Sequence, residues 1–284
     1  MGDATARFFD AMAASYDELE PWYEHLYVEL HRILRSALGP APPDARALDA
    51  GCGTGFQTAI LAELGYRLHG LDLSEASLAV AQGRLPRARF VRGDLSALPY
   101  SDGTFDAVVC AGSTLDFVDE PGSVIREIAR VMRPGARLLL EYERRWCLDI
   151  AWTLVSSVTG DAFGYGLRPA EARALVAGSW RTGVWVDYPG YPRLRLFTDR
   201  ELGAMLESRG LGVEQAWGIH AITNLMPSPV LHRPCLPAAL RPLYRVLRSA
   251  DARVGSSRAM RAIAAHGVIL ARKSKGRLGD RIAR

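Results

Sequence analysis

The chain contains little lysine and little cysteine. Lys273 and Lys275 are the only lysines among its 35 basic residues, so arginine carries nearly all of the positive charge. The four cysteines (Cys52, Cys110, Cys147 and Cys235) stand far apart without a CxxC pair, which argues against a disulfide framework and a zinc ribbon. No HExxH, Cys/His cluster or three-carboxylate motif is present, so we predict no metal site. We expect reduced thiols and a cytoplasmic protein.

Long apolar runs are also missing. The first twenty residues carry Asp and Glu where a secretion signal needs an apolar stretch. Residues 215–232 hold no Asp, Glu, Lys or Arg, but His220, Asn224, Pro227 and Pro229 interrupt this stretch too often for a membrane helix. With 284 residues, 49% of them hydrophobic, the chain has enough apolar material for one sizeable core.

Positive charge is concentrated near the C-terminus. Residues 233–284 hold 13 Arg and Lys against two acidic residues, a balance of +11, which leaves −7 for residues 1–232. The simpler interpretation is a solvated surface on which arginine is the usual cation. The second is peripheral contact with lipid headgroups, because Leu243 and Leu247 fall at helical spacing beside Arg241, Arg245 and Arg248.

Alternating strand and helix patterns predict an α/β fold. Two helices open the chain, the first around Phe8 to Tyr16, and a proline-rich linker follows at residues 39–43. Apolar strands are then predicted at residues 47–50, 67–71, 88–91, 105–110, 136–141, 211–219 and 267–273, most of them separated by helical segments. This order predicts a doubly wound parallel sheet, covered on both faces, with ligands at the carboxyl ends of its strands.

Four regions are predicted from this pattern. Residues 1–45 form an N-terminal helical cap, and residues 46–143 form a cofactor-binding core. Residues 144–197 are an inserted substrate or lid segment, because they are longer than a connection requires. Residues 198–284 complete the core and carry a second, helical insertion at residues 220–264.

The strongest local signal is the sequence LDAGCGTG at residues 48–55, between a strand and a helix. Its glycines allow close approach of the backbone to a ligand, and the helix offers free N–H groups. Asp72 ends the next strand, where a carboxylate accepts hydrogen bonds from ribose hydroxyls. NAD and S-adenosylmethionine both satisfy this pattern. Asp49 favours the second, because it would repel a pyrophosphate but attract an ammonium group, and Asp94 is placed to accept from an adenine amino group.

These motifs resemble the class I S-adenosylmethionine-dependent methyltransferases, in particular the ubiquinone/menaquinone-biosynthesis group. The matching segments are LDAGCGTG (48–55), LHGLDLS (68–74), FVRGDLSALPYSDGTFDAVVC (90–110) and EPGSVIREIARVMRPGARLLLE (120–141). The resemblance implies a Rossmann-like, seven-stranded, mostly parallel sheet with an antiparallel last strand, preceded by N-terminal helices and carrying inserted lid segments.

It also implies the roles of individual residues. Asp49, Gly51, Cys52 and Gly53 would hold the methionine end of S-adenosylmethionine, with Tyr16 closing over its carboxylate. The ribose would bind at Asp72 and Leu73, and the adenine at Asp94 and Leu95. Ala111 would lie under the cofactor, and S-adenosylhomocysteine would be the product.

The acceptor is less defined. If methyl transfer needs a general base, the candidates at strand ends are Asp116, Glu141, Glu143 and His220. The sequence AGSTLD at residues 111–116 replaces the Asn/Asp-Pro-Pro-aromatic motif of methyltransferases acting on nucleic acid bases, which argues against a nucleic acid substrate. Eight aromatic residues crowd the first inserted segment and favour a small hydrophobic or aromatic acceptor: Trp146, Trp152, Phe163, Tyr165, Trp180, Trp185, Tyr188 and Tyr191.

Two alternatives stay open at this point. One is a cyclase that uses the same fold and binds the cofactor without methyl transfer. The other is an NAD-dependent oxidoreductase.

Overall fold

A computed structural model describes residues 2–18, 20–188, 190–254 and 257–275. The strands are β1 (Arg46–Ala50), β2 (Arg67–Asp72), β3 (Arg89–Arg92), β4 (Phe105–Cys110), β5 (Met132–Glu143), β6 (Val184–Val186), β7 (Leu194–Leu196), β8 (Leu211–Ile219) and β9 (His266–Lys273). The α-helices are α1 (Gly2–Met12), α2 (Pro21–Leu38), α3 (Phe56–Glu63), α4 (Glu75–Arg84), α5 (Pro121–Val131), α6 (Asp149–Val158), α7 (Pro169–Val176), α8 (Asp199–Glu207), α9 (Ser228–Leu231), α10 (Arg241–Val254) and α11 (Arg258–Arg261). Short 3-10 turns lie at Thr114–Phe117, Thr223–Leu225 and Ala238–Leu240.

The main sheet has the order β3-β2-β1-β4-β5-β9-β8. Strands β1 to β5 pair in parallel, whereas β9 runs antiparallel to both β5 and β8. This confirms the predicted doubly wound, seven-stranded, mostly parallel sheet with an antiparallel last strand. The strand order reverses at β1, so the crevice at the carboxyl ends of β1 and β4 is the expected place for a ligand.

Helices cover both faces of the sheet because successive side chains of each buried strand point to opposite sides. On one face, Leu48 of β1 and Val108 of β4 share a core with α5 and α8. On the other face, Ala47 and Val109 share a core with α2 and α3. The sheet is therefore a rigid support for the loops at its edge.

The first helix differs from the prediction. It begins at Gly2 and ends at Met12, so Tyr16 lies in the turns that follow the helix and not on it. Asp10 fastens α1 to the start of α4, since its carboxylate accepts from Ser74 Oγ at 2.6 Å and from the Ala76 N–H at 3.1 Å. The helix is thereby held over the carboxyl edge of the sheet.

The fifth strand also begins earlier than predicted. It starts at Met132 and not at Ala136. Pro134 and Gly135 lie inside the strand, where they interrupt its regular pairing with β4. Gly135 has a φ of +85°, a conformation that glycine adopts without steric cost. The pairing with β4 therefore slips between Met132 and Arg137.

The two long segments contain their own elements. Residues 144–197 hold α6, α7 and the two-stranded sheet of β6 and β7, and residues 220–264 hold α9, α10 and α11. The apolar stripe around Leu243 lies on α10, as its spacing predicts. In the described part of the chain, every helix is too short or too polar to cross a bilayer.

Candidate cofactor and acceptor site

A cavity of about 830 Å³, including its open mouth, lies at the carboxyl ends of β1, β2 and β4. It is lined by nearly all of the residues that the sequence predicts for the cofactor: Tyr16, Gly51, Cys52, Gly53, Asp72, Leu73, Asp94, Leu95 and Ala111. The prediction missed Thr5 and Phe9 of α1, Tyr27 of α2 and Phe117, which also line it. We call this space the cofactor cavity.

The glycine-rich loop is held in place by backbone contacts. The N–H groups of Gly51 and Cys52 both donate to the Leu71 carbonyl, at 2.7 and 3.1 Å. Gly51 has a φ of +80°, and a Cβ built on it would overlap the side chain of Thr114. Only glycine therefore satisfies both the backbone conformation and the close approach of the two loops.

The Asp72 carboxylate connects this loop to α4. It accepts from the Gly53 N–H at 2.8 Å and from the Ser74 N–H at 2.9 Å. Burial raises the pKa of Asp72, while these backbone hydrogen bonds oppose the rise. Asp72 therefore both orders the cavity wall and presents a carboxylate to the cavity.

Asp49 differs from its predicted position, because it does not line the cofactor cavity. It is 1% exposed, and its carboxylate accepts from Thr58 Oγ at 2.5 Å. Burial raises the pKa of Asp49 to about 7, against the opposing hydrogen bond from Thr58. The expectation that Asp49, Asp72 and Asp94 converge on one ligand is thus corrected: Asp49 lies behind the glycine-rich loop.

Asp94 lies just after β3 and lines the cofactor cavity. Its Oδ1 accepts from both the N–H and the hydroxyl of Ser96, each at 2.7 Å, and its side chain is exposed. Leu95 beside it is buried. A polar group next to an apolar wall suits a purine ring with an exocyclic amino group.

The segment after α1 contributes Tyr16 to the wall of the cofactor cavity. The hydroxyls of Tyr16 and Tyr27 lie 2.9 Å apart. Asp17 accepts from Thr54 Oγ at 2.8 Å and pairs with Arg84. These contacts connect the segment to α2, to the glycine-rich loop and to α4.

A second space, which we call the aromatic cavity, has a volume of about 1320 Å³ including its mouth. Six aromatic side chains line it: Trp22, Tyr23, Phe117, Tyr165, Tyr188 and Tyr191. Only the last three belong to the aromatic residues predicted from the inserted segment, and Trp180 from that group is 62% exposed. Its polar lining includes Glu143, Asp149, His232 and His266.

A third space, of about 1290 Å³ including its mouth, shares lining residues with both cavities, and we call it the connecting space. It shares Tyr16, Tyr27 and Gly112 with the cofactor cavity, and Tyr23, Glu143 and Tyr191 with the aromatic cavity. Phe117 lines all three. The three spaces therefore adjoin one another along shared side chains.

Of the candidate bases, Glu143 lines both the aromatic cavity and this connecting space. Its Oε1 accepts from Ser113 Oγ at 3.1 Å. Burial raises the pKa of Glu143, and the nearby Glu141 adds to the rise, while the charge of His266 opposes it. Glu143 is therefore placed to contact an acceptor.

Asp116 does not face any of these cavities. It is fully buried, and both of its carboxylate oxygens accept from the Glu143 N–H, at 3.1 and 3.2 Å. Burial, followed by the charges of Glu143 and Glu141, raises the pKa of Asp116 well above its ordinary value. The prediction that Asp116 is catalytic is corrected to a role in holding the end of β5.

The position of His220 also does not fit its predicted role as a general base. It is fully buried, lines none of the three spaces, and stacks on Trp22 with ring centroids 3.8 Å apart. Its Nδ1 lies 2.9 Å from Thr223 Oγ, and its Nε2 lies 3.1 Å from the Trp22 carbonyl oxygen. Burial, together with the charges of His25 and His266, lowers the pKa of His220 well below its ordinary value. A ring whose two nitrogens are already bonded inside the core is not positioned to take a substrate proton.

His25, His220 and Asp251 bring ligand-type atoms within 4.8 Å of one another. Hydrogen bonds account for this cluster. Asp251 Oδ2 lies 3.2 Å from His25 Nε2 and accepts from the Thr223 hydroxyl at 2.7 Å. Asp251 Oδ1 accepts from the backbone N–H groups of Ala221 and Ile222. The cluster thus connects α2, α10 and the loop after β8, and we assign no metal to it.

The sequence also did not reveal His266 as a site residue. It lines the aromatic cavity, and its Nδ1 lies 2.6 Å from Glu141 Oε1. Glu141 does not face the three spaces, and its Oε2 accepts from the N–H groups of Gly112 and Ser113 at 2.8 and 2.7 Å. His266 begins β9, and because β9 runs antiparallel to β5, the start of β9 lies beside the carboxyl end of β5.

Comparison with known proteins agrees with this geometry. Residues 48–140, which contain the glycine-rich loop, Asp72 and Asp94, match the family model described as methyltransferase domain. A demethylmenaquinone methyltransferase from Renibacterium salmoninarum is 34% identical over 139 residues. Residues 48–140 are therefore a methyltransferase domain, similar in sequence to that of demethylmenaquinone methyltransferases. The cofactor of this class I methyltransferase domain is S-adenosylmethionine, so the oxidoreductase alternative is not favoured.

The similarity to that relative is partial. It covers 46% of this chain and 58% of the relative, so the chain matches little more than half of the relative's length.

Solved structures of methyltransferase fold resemble a larger part of the chain. A Burkholderia thailandensis 1,6-didemethyltoxoflavin-N1-methyltransferase with bound S-adenosylhomocysteine has a TM-score of 0.54 at 20% identity, over 96% of this chain and 86% of that one. The [4+2]-cyclase SpnF has a TM-score of 0.51 at 21% identity, over 87% of this chain and 81% of that one. At such identities the likeness concerns the fold alone.

Proposed function

We propose that this protein transfers the methyl group of S-adenosylmethionine to a small, hydrophobic or aromatic acceptor. The observation that supports this most directly is that the two cavities share wall residues with the connecting space: Phe117 lines all three, Tyr16 lines the cofactor side and Glu143 the aromatic side. Bound S-adenosylmethionine supplies an activated methyl group, so the protein has to align the acceptor with it and exclude water. Two adjoining cavities with a shared apolar wall meet that requirement.

Within the cofactor cavity, the residues are proposed to act as the family resemblance implies. Asp72, with Leu73, binds the ribose hydroxyls, and Asp94, with Leu95, binds the adenine. Gly51, Cys52 and Gly53 provide the backbone beside the methionine end. Ala111 lies under the cofactor, while Tyr16 closes over the methionine carboxylate. Asp49 does not line this cavity, and it supports the glycine-rich loop through its hydrogen bond with Thr58.

Within the aromatic cavity, Glu143 is proposed to contact the acceptor directly. The carboxylate stands among aromatic side chains such as Tyr23 and Tyr191, which favours a flat molecule with one polar group. A polymer is disfavoured, since the space is bounded by the two inserted segments. We therefore propose no nucleic acid substrate.

The cyclase alternative uses the same fold, and fold likeness alone does not separate the two reactions. The family model and the demethylmenaquinone methyltransferase favour methyl transfer. Mass spectrometry separates them, because methyl transfer consumes the cofactor and adds one methyl group in place of hydrogen. A product of unchanged mass formed without consumption of the cofactor would favour the cyclase.

Calorimetry with S-adenosylhomocysteine and with NAD tests the cofactor assignment. We expect S-adenosylhomocysteine to bind and Asp72→Asn to weaken it by about 1–3 kcal/mol, the cost of leaving buried hydroxyls poorly paired. Asp102→Asn is the matched control, because the Asp102 side chain is 81% exposed and pairs with Arg130 away from the cavity. Unchanged affinity in Asp72→Asn would remove the ribose role, and binding of NAD alone would overturn the function.

Peripheral membrane contact also remains a proposal. On α10, Leu243 and Val246 are 49% and 66% exposed, and Arg241 and Arg245 beside them are exposed. Such a face suits an anionic lipid surface. The cytoplasmic location remains an expectation from the cysteine pattern, and the four cysteines are free in the structure.

A further inference from the structure

His266 and Glu141 form a buried pair at the edge of the aromatic cavity. The two side chains are 2% and 0% exposed, and Nδ1 of His266 lies 2.6 Å from Oε1 of Glu141. The other oxygen of Glu141 accepts the N–H groups of Gly112 and Ser113. With both oxygens engaged, Glu141 is fixed, and it fixes the orientation of the imidazole ring in turn.

The second nitrogen of His266 has a different environment. Among the described residues, Nε2 makes no hydrogen bond, while the ring lines the aromatic cavity. His266 pairs directly with Glu143 across β5 and β9. The imidazole thus stands beside the carboxylate proposed to contact the acceptor, with one nitrogen available to a bound molecule.

The charged and titratable groups around the ring stabilise the imidazolium that forms when the ring accepts a proton. Glu141 and Glu143 of β5 face it, and His220 and Trp22 lie on its other side, each with its ring centroid 5.7 Å away. Burial lowers the pKa of His266, but the hydrogen bond and charge of Glu141, with the charge of Glu143, outweigh burial and raise it above the ordinary value. A base with a raised pKa accepts a proton more strongly than a free imidazole does.

We propose that His266, oriented by Glu141, is the general base that removes a proton from the acceptor. The inference rests on the proposed methyl transfer. The acceptor O–H bond breaks and its proton goes to Nε2 of His266. An oxygen lone pair forms the new bond to the methyl carbon, and the methyl–sulfur bond breaks with its electron pair left on sulfur. Glu141 remains a carboxylate and balances the charge of the imidazolium.

This assignment narrows the acceptor class. A neutral amine attacks through its lone pair and loses a proton afterwards, so it has little need of a base before the transfer. A phenol or enol becomes a much better nucleophile when its hydroxyl proton leaves. The pair therefore indicates a phenolic or enolic acceptor, which also suits the aromatic walls of the cavity.

The test uses 4-nitrophenol as a probe, because its ionised form absorbs visible light. Protein saturated with S-adenosylhomocysteine is titrated with the phenol across a pH series. In the wild type, we expect the bound phenol to ionise at a lower pH than the free phenol. In His266→Gln this shift should disappear while the affinity for S-adenosylhomocysteine stays within about twofold. When S-adenosylmethionine replaces S-adenosylhomocysteine, the rate of 4-nitroanisole formation by His266→Gln should be about 100-fold below that of the wild type.

Glu141→Gln provides a second variant that keeps the imidazole. It should give a smaller shift in the ionisation of bound 4-nitrophenol, and the midpoint of the His266 imidazole, followed by NMR, should move to lower pH. The inference about His266 would be wrong if bound 4-nitrophenol ionised at the same pH in wild type and His266→Gln. It would also be wrong if protein that binds S-adenosylhomocysteine did not bind the phenol. Neither result would contradict the proposed function. No binding of S-adenosylhomocysteine would instead overturn the proposed function.

Discussion

The hydroxyl groups of Tyr16 and Tyr27 lie 2.9 Å apart and join the segment after α1 to α2 beside the cofactor cavity. Because a neutral hydrogen bond contributes about 0.5–1.5 kcal/mol, Tyr16→Phe should weaken binding of S-adenosylhomocysteine by about that amount. Calorimetry measures the change. Tyr66→Phe is the control, since Tyr66 lies outside the cofactor cavity. Equal affinities in both variants would show that the contact between the two tyrosines does not help to close the site.

Gly51 and Gly53 differ in the space that surrounds them. Both have a positive φ, +80° for Gly51 and +49° for Gly53, but a Cβ on Gly51 would overlap Thr114, whereas a Cβ on Gly53 would meet nothing within 4 Å. We expect Gly51→Ala to lower the free energy of unfolding by about 1–3 kcal/mol and to weaken S-adenosylhomocysteine binding. Gly53→Ala should have a clearly smaller effect on both. Urea unfolding and calorimetry compare them, and a larger loss in Gly53→Ala would contradict the packing argument.

The cofactor side of the site could be predicted from the sequence because its residues follow strands directly. In a parallel sheet those positions meet at one edge, which is why Gly51, Asp72 and Asp94 line the same cavity although they are far apart in the chain. The local sequence does not reveal whether a side chain at the end of a strand points into the cavity or into the protein core. Asp49 also lies at a strand end, but its carboxylate turns inward to Thr58.

The acceptor side could not be predicted in the same way. His220 follows β8, yet its φ of +59° belongs to a loop that turns back into the core against Trp22. His266 precedes its strand, and its contact with Glu141 depends on the pairing of β9 with β5, across 125 positions of sequence. A contact of this kind is set by the register of the sheet, and a local sequence motif does not reveal that register. The fold was predicted more completely because it depends on hydrophobic periodicity, which is local.

The buried Asp49 should make folding stability depend on pH. Its pKa rises from 3.8 to about 7 on burial, so the folded state holds a proton that the unfolded state releases. This contribution is complete below about pH 4 and is lost as the pH rises through 7; by linkage, it amounts to about 4 kcal/mol. An asparagine at this position carries no such proton, so the wild type should lose stability relative to Asp49→Asn between pH 4 and pH 8. Urea unfolding of both proteins across this range measures the difference, and parallel pH dependences would contradict the raised pKa.

Replacement of His220 should affect folding more than binding. Its ring nitrogens contact Thr223 and the Trp22 carbonyl inside the core, and His220→Gln leaves these groups poorly paired. We expect a loss of about 1–3 kcal/mol in the free energy of unfolding, with affinity for S-adenosylhomocysteine and ionisation of bound 4-nitrophenol unchanged. His266→Gln should instead abolish the shift of that ionisation to lower pH. If His220→Gln removed it as well, His220 would have to act on the acceptor after all.

The exposed face of α10 is expected to bind anionic membranes weakly. Asp251 is the one acidic residue of this helix and it is buried, so the outer face presents arginines without a balancing carboxylate from α10. Each arginine near an anionic surface contributes about 1 kcal/mol, so Arg241→Gln with Arg245→Gln should weaken binding by about 2 kcal/mol. Flotation with phosphatidylserine vesicles at low salt measures this, with the exposed pair Arg200→Gln and Arg209→Gln as a control of equal charge. Because salt screens such contacts, binding should also decline at high salt. Absence of flotation at low salt would leave α10 as an ordinary solvated surface.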